Sequence, residues 1–142
     1  MRTMKSKCLR DKRKFSMSLD FQEFNKRRIA FSCALNGIRQ ALKSEMNLKI
    51  HVSVAFIVII MAYAFRVSLL EWVVLFLTIG SVIAFELMNT AIEKAMDFLA
   101  PDFHPSVGLV KDIAAGAVFI AVLTSVVIGC IIFIPKIIHY FW

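Results

Sequence analysis

The sequence predicts an all-α membrane protein in which an amino-terminal amphipathic surface helix precedes three transmembrane helices. Three observations lead there. Of 142 residues, 59% are hydrophobic, above the roughly 45–50% usual for soluble domains. Apolar runs stand at about 48–66, 69–98 and 109–135, each near the roughly 20 residues that cross a bilayer. Basic charge is crowded at one end. A soluble globule of this length lacks the interior to hide such runs, so a bilayer is the expected solvent and oligomerisation within it is expected.

The net charge is +7, and 13 of the 17 Lys and Arg fall between Arg2 and Lys49, against Asp11, Asp20, Glu23 and Glu45. Beside transmembrane helices the positive-inside rule places this end in the cytoplasm. Anionic lipid head groups, not nucleic acid, are then its expected partner. Residues 1–22 read as a basic, poorly ordered cytoplasmic tail and residues 23–142 as one membrane domain. The basic start runs into polar and amphipathic sequence without a short apolar core and small-residue cleavage site, so the first span is expected to direct insertion.

The surface helix is expected over about 24–46. Phe24, Phe31, Ala34, Leu35, Ile38 and Leu42 fall on one side and Asn25, Arg28, Ser32, Asn36, Arg39 and Lys43 on another, the pattern of a helix lying in the interface with its cations toward phosphates. The first span follows, with His51 at its start. Arg66, Val67 and Ser68 leave room for a tight turn alone, which makes the second span antiparallel and puts Arg66 and Glu71 at the far interface. Ala100 to Ser106, with Pro101 and Pro105, reads as a cytoplasmic loop. The third span leaves the carboxyl terminus outside, with Pro135 and Lys136 at its exit and Tyr140 and Trp142 as interfacial aromatics. Cys8, Cys33 and Cys130 have no metal-site spacing and read as packing or incidental thiols.

Chemistry concentrates where the second span ends. Glu86, Asn89, Glu93 and Asp97 are three, four and four residues apart and form one polar stripe down a helix face. A carboxylate directly after an apolar span costs several kcal/mol on insertion scales unless partnered. Glu45 before the first span and Lys111 and Asp112 before the third belong to the same membrane face. Lys111 stands near the amino end of a helix, where the macrodipole disfavours a cation. Its compensation is either an ion pair with Asp112 or Glu93 or a bound phosphate. Carboxylates with a lysine at an interface suit phosphoryl transfer: hard oxygens hold Mg²⁺ on phosphates, the lysine neutralises developing charge, and another carboxylate accepts a hydroxyl proton. Neither a P-loop nor the Gly-rich loop and catalytic loops of protein kinases is present. The competing class is a small transporter or non-catalytic membrane subunit with one embedded carboxylate, which needs no Lys-Asp pair at that interface.

At these residues the chain resembles the small bacterial integral-membrane lipid kinases, the diacylglycerol kinase and undecaprenol kinase family. Glu86-Leu-Met-Asn89-Thr-Ala-Ile-Glu93 with Asp97 reproduces the family's ExxNTAIExxxD signature, followed by a His-containing loop and Lys111-Asp112-Ile-Ala-Ala-Gly-Ala-Val118. The resemblance runs from about Phe24 to the end.

It implies a homotrimer with composite active sites in a bacterial cytoplasmic membrane, using ATP and Mg²⁺ to phosphorylate a membrane lipid alcohol at the cytoplasmic face. Glu86 would be the base on the lipid hydroxyl, and Glu45 with Glu93 would bind the metal on the ATP phosphates. Asn89 and Lys111 would position the phosphoryl group. Asp112, Asp102, Phe103 and His104 fall at nucleotide-contacting positions, as does a cation near Lys26. Gly37, Arg39 and Asn47 are expected, with Glu86, to meet the lipid. Glu45-Met-Asn47-Leu48-Lys49-Ile50-His51 is similar to the ExNxxIH pattern of the Gram-positive branch, typified by undecaprenol kinases. The expected acceptor is therefore undecaprenol, with diacylglycerol as the alternative.

Overall fold

A computed structural model describes residues 29, 31–102 and 104–141, all in helices or the short links between them. Helix α1 covers 31–44, α2 Met46–Ala64, α3 Leu69–Leu99 and α4 Pro105–Phe141. The chain divides into two compact units, residues 1–40 and 41–142. The basic tail and the first residues expected in the surface helix lie outside the described residues. Within the first unit, Phe31, Leu35 and Ile38 of α1 are exposed, as the apolar face of an interfacial helix would be.

In the second unit α3 packs against both α2 and α4. Helices α2, α3 and α4 are long and apolar enough to cross a membrane, and only 17% of each span is buried within the chain. Most of their apolar surface therefore needs lipid or another protein surface, and the chain is a multi-pass membrane protein. Hydroxyls within the spans cause no conflict with that solvent. Ser53, Thr78, Ser81, Thr124 and Ser125 each donate to a carbonyl four residues back, at 2.6–2.9 Å, so none presents a bare donor to hydrocarbon.

The expected tight turn is a Schellman cap. Arg66 donates its N–H to Tyr63 O at 3.2 Å and Val67 donates to Ala62 O at 3.1 Å. Buried Val67 packs in one cluster with Ala62, Leu75, Ile132 and Phe133, the apolar contact that accompanies this motif. The next helix starts at once through a capping box: Ser68 N–H donates to Glu71 Oε2 at 2.6 Å, and Glu71 N–H donates to Ser68 Oγ at 3.4 Å. Glu71 also meets Lys136 of α4 at 3.1 Å, so the end where α2 gives way to α3 is tied across to the end of α4.

Arg66 makes this turn with φ at 49°, the left-handed region that costs a residue with a Cβ about 1–2 kcal/mol and glycine little. Arg66→Gly is expected to hold or raise the thermal midpoint of the purified protein, and Arg66→Ile to lower its stability by about 1 kcal/mol. A lower midpoint for Arg66→Gly than for Arg66→Ile would show that the guanidinium, not the backbone, matters there.

Two boundaries differ from the sequence expectation. α4 begins at Pro105, not near 109, with Pro105 in the first helical position where its missing N–H goes unused. It also continues through Pro135 to Phe141, as transmembrane helices tolerate proline when neighbours cover the freed carbonyl. Lys111 therefore stands in the second turn of α4, beyond the first turn where the macrodipole acts strongly.

Candidate active site

The turn between α2 and α3 fixes which residues share a level. α2 has 19 residues, about 28 Å of helix, and the same length along α3 reaches Leu87. Glu86 is thus level with the head of α2. With 31 residues, α3 is about 46 Å long against a hydrocarbon core of about 30 Å. The turns carrying Asn89, Glu93 and Asp97 therefore climb out of the hydrocarbon on the side where α2 begins.

The chain alone covers the upper part of the stripe. Glu86 is 3% exposed, Asn89 7% and Thr90 5%. The chain's own packing is enough to cover Glu86. The ionisable groups whose fields reach Glu86 are His51, Glu93 and Glu45. Asn89 Nδ2 donates to Glu93 Oε1 at 2.9 Å, fixing both side chains along the helix. Asn89 Oδ1 is buried with no hydrogen-bond partner. Such an orphan acceptor costs about 1–3 kcal/mol, and that cost disappears if a ligand brings a donor.

Glu45 occupies the single extended residue between α1 and α2, with φ −98° and ψ 121°. It does not cap α2 with its side chain. Its Oε1 accepts from Lys94 Nζ at 2.8 Å and from Ser44 Oγ at 2.8 Å. The Lys94 hydrogen bond, helped by that from Ser44, holds the Glu45 carboxyl below its ordinary range. Leu48, one turn into α2, is 1% exposed and anchors this end of the helix.

Lys111 pairs with Asp97 across α3 and α4, not with Asp112 or Glu93 as the sequence allowed. Adjacent residues on a helix diverge by about 100°, so Lys111 and Asp112 face different ways. Asp112 and Asp102 are exposed. His104 is exposed and supports the start of α4, its Nδ1 accepting from Ser106 N–H at 3.2 Å and its carbonyl from Val107 N–H at 3.0 Å. Asn47 is exposed in the first turn of α2. Gly37 and Arg39 are exposed on α1 in the other compact unit. Lys26 and Phe103 lie outside the described residues, as does Cys8, while Cys33 and Cys130 are free and exposed.

Sequence reading missed Lys94 as the partner of Glu45, Asp97 as that of Lys111, and the burial of Thr90. A signal existed for Lys94: it follows Glu93 on the helix that the short turn lays beside Glu45. Glu45 and Glu93 are hard oxygen donors, suited to Mg²⁺ when phosphate oxygens and waters complete its octahedron. Among the described residues no cluster of three or more acidic, His or Cys groups is poised to hold a metal.

An apolar cleft of about 230 Å³ runs between α2, α3 and α4, from Phe133 up to His51 and Ile83, one turn short of Glu86. His51 lines it, together with Val54, Thr78, Val82, Val122 and Phe133.

Comparison with known proteins supplies the class. The profile of the family described as "Prokaryotic diacylglycerol kinase" matches residues 32–133. The chain is 38% identical to undecaprenol kinase of Bacillus subtilis over 114 residues, 80% of this chain and 93% of that protein. It is 32% identical to diacylglycerol kinase of Synechocystis over 108 residues, 75% of this chain and 62% of that one. With diacylglycerol kinase of Escherichia coli K12 it shares 27% over 96 residues, 68% of this chain and 79% of the other. The matched region takes in Glu45, the whole α3 stripe and Lys111, and with the identity to these relatives it shows that the chain belongs to the prokaryotic diacylglycerol kinase family of membrane lipid kinases.

Proposed function

We propose that this enzyme transfers the γ-phosphate of ATP to undecaprenol, giving undecaprenyl phosphate, with Mg²⁺ as cofactor and at the cytoplasmic face of the bacterial membrane. The observation that carries the reading is Glu86. It is a buried carboxylate level with the head of α2, where a lipid hydroxyl would lie at the edge of the hydrocarbon, with Glu93 two turns further along the same face of α3 and Glu45 directly before α2.

Glu86 takes the proton of the lipid hydroxyl while that oxygen forms a bond to the γ-phosphorus. The bond from the γ-phosphorus to the bridging oxygen breaks, and ADP leaves. Glu45 and Glu93 would hold Mg²⁺, which would supply positive charge to the phosphate oxygens. Lys111, released from Asp97, meets the charge developing on the transferred group. Asn89 orients Glu93 through its Nδ2 and, with Lys111, positions the phosphoryl group. The remaining roles are those that the resemblance implies: Asp102, Phe103, His104, Asp112 and Lys26 for the nucleotide, and Gly37, Arg39 and Asn47 for the lipid. The working form is a homotrimer with the amino terminus cytoplasmic and the carboxyl terminus outside, its basic tail on anionic head groups.

The preference for undecaprenol is supported by the 38% identity over 93% of the Bacillus subtilis enzyme, and by the pattern from Glu45 to His51. Diacylglycerol is the second acceptor considered, because relatives at 32% and 27% identity carry that name. Tail contacts discriminate weakly, a methylene changing affinity by only about 1–3 kcal/mol. Purified protein in bilayers, given both lipids and labelled ATP, is expected to label undecaprenyl phosphate predominantly. Label mainly in phosphatidic acid would overturn the acceptor while leaving the lipid kinase chemistry intact.

A further inference from the structure

Glu45, which the proposed reaction uses as a metal ligand, is already held by a cation in this chain. Lys94 Nζ donates to Glu45 Oε1 at 2.8 Å across 49 residues of sequence, joining the head of α2 to the outer half of α3. Lys94 directly follows Glu93, and the acids whose fields reach it are Glu45, Glu93 and Asp97. Its charge therefore offsets the two carboxylates assigned to the metal and the one that holds Lys111.

We propose that Lys94 is the resident counter-ion of the metal site: it occupies Glu45 in the nucleotide-free enzyme, yields that oxygen to the divalent cation, and then binds an ATP phosphate oxygen. This rests on the reading of Glu45 as a metal ligand. The two occupants compete, since a divalent cation on either oxygen of Glu45 would stand close to the ammonium held at Oε1, and like charges so close repel.

The exchange is physically easy. The Lys94 side chain is 57% exposed and that of Glu45 26%, and solvent-exposed pairs of this kind shift equilibria only about two- to fivefold. The flexible four-carbon stem of lysine lets the ammonium swing away while both helices stay in place. Its next available partners are anions, and the nucleotide brings phosphate oxygens to the acids that Lys94 has been neutralising. Lys94 is accordingly a positioning residue in the empty enzyme and a phosphate contact in the loaded one.

The test uses the full chain in bilayers with Mn²⁺ alone as probe, free Mn²⁺ being read by electron paramagnetic resonance without nucleotide. Lys94→Met is expected to bind Mn²⁺ about two- to fivefold more tightly than the wild type, because a competing cation is gone. With Mn²⁺ saturating, the same variant is expected to bind a non-hydrolysable ATP analogue more weakly. Lys94→Arg retains the competing charge and is expected to keep Mn²⁺ affinity near the wild-type value. A purely structural tie would lower both affinities in Lys94→Met, so Mn²⁺ binding that is unchanged or weaker overturns the proposal. Glu45→Gln separates the two readings. If it binds Mn²⁺ like the wild type, the ligand assignment itself falls; if it loses Mn²⁺ while Lys94→Met matches the wild type, the counter-ion role alone falls.

Discussion

Glu86→Gln is expected to reduce lipid-dependent ATP consumption by about 10²- to 10⁴-fold, the contribution of a positioned general base, while leaving the folded protein as stable as before or more so. The two effects have opposite physical origins. Glu86 is 3% exposed at the end of an apolar run, where an ionised carboxylate is costly. Glutamine keeps the shape and removes the charge, so the fold loses a burden while the reaction loses its proton acceptor. Turnover and thermal midpoint, measured on the same purified protein, check both halves. Undiminished turnover would remove the base role. A collapsed midpoint would show that the carboxylate is structural.

The second large effect is expected at the metal site. Glu93→Gln should raise the Mg²⁺ concentration needed for half-maximal turnover on the order of ten- to a hundredfold, the scale on which even groups supporting a metal's ligands act, with much of the rate recovered at saturating Mg²⁺. The substitution is selective because glutamine can still accept the hydrogen bond that Asn89 Nδ2 makes to Glu93 Oε1 at 2.9 Å, so Asn89 stays oriented. What is lost is the negative charge and one hard oxygen ligand. A Mg²⁺ titration with the lipid held saturating measures this directly. An unchanged Mg²⁺ requirement would assign Glu93 to orienting Asn89 alone.

Neither expectation depends on the Lys94 counter-ion, since both concern groups on the stripe and not the partner of Glu45. They do share its setting. In the chain without ligand the cations near the stripe are engaged, Lys94 with Glu45 and Lys111 with Asp97. On the proposed reading, binding of nucleotide is an exchange of partners among groups already gathered at one end of the helices.

The three spans and the stripe were legible in the sequence because both are local. Hydropathy marks the residues that must meet lipid, and spacings of three and four residues put Glu86, Asn89, Glu93 and Asp97 on one face wherever that helix lies. The short link Arg66-Val67-Ser68 likewise imposed an antiparallel pair. The ends of α4 were not legible from hydropathy, because backbone hydrogen bonding continues through Ser106, Lys111 and Asp112 without needing apolar side chains. Pro135 interrupts the pattern but not the helix.

By itself the sequence determined the solvent, the number of crossings and the kind of chemistry, since charge, apolarity and helical period act over a few residues at a time. Only the tertiary structure decided the partners: that Lys111 meets Asp97, that Lys94 reaches Glu45, and that the chain's own packing buries Glu86 and Asn89. Those outcomes depend on how each helix is rotated about its axis and how far it slides past its neighbour. Side-chain packing across the whole bundle sets both, and no short stretch of residues encodes them.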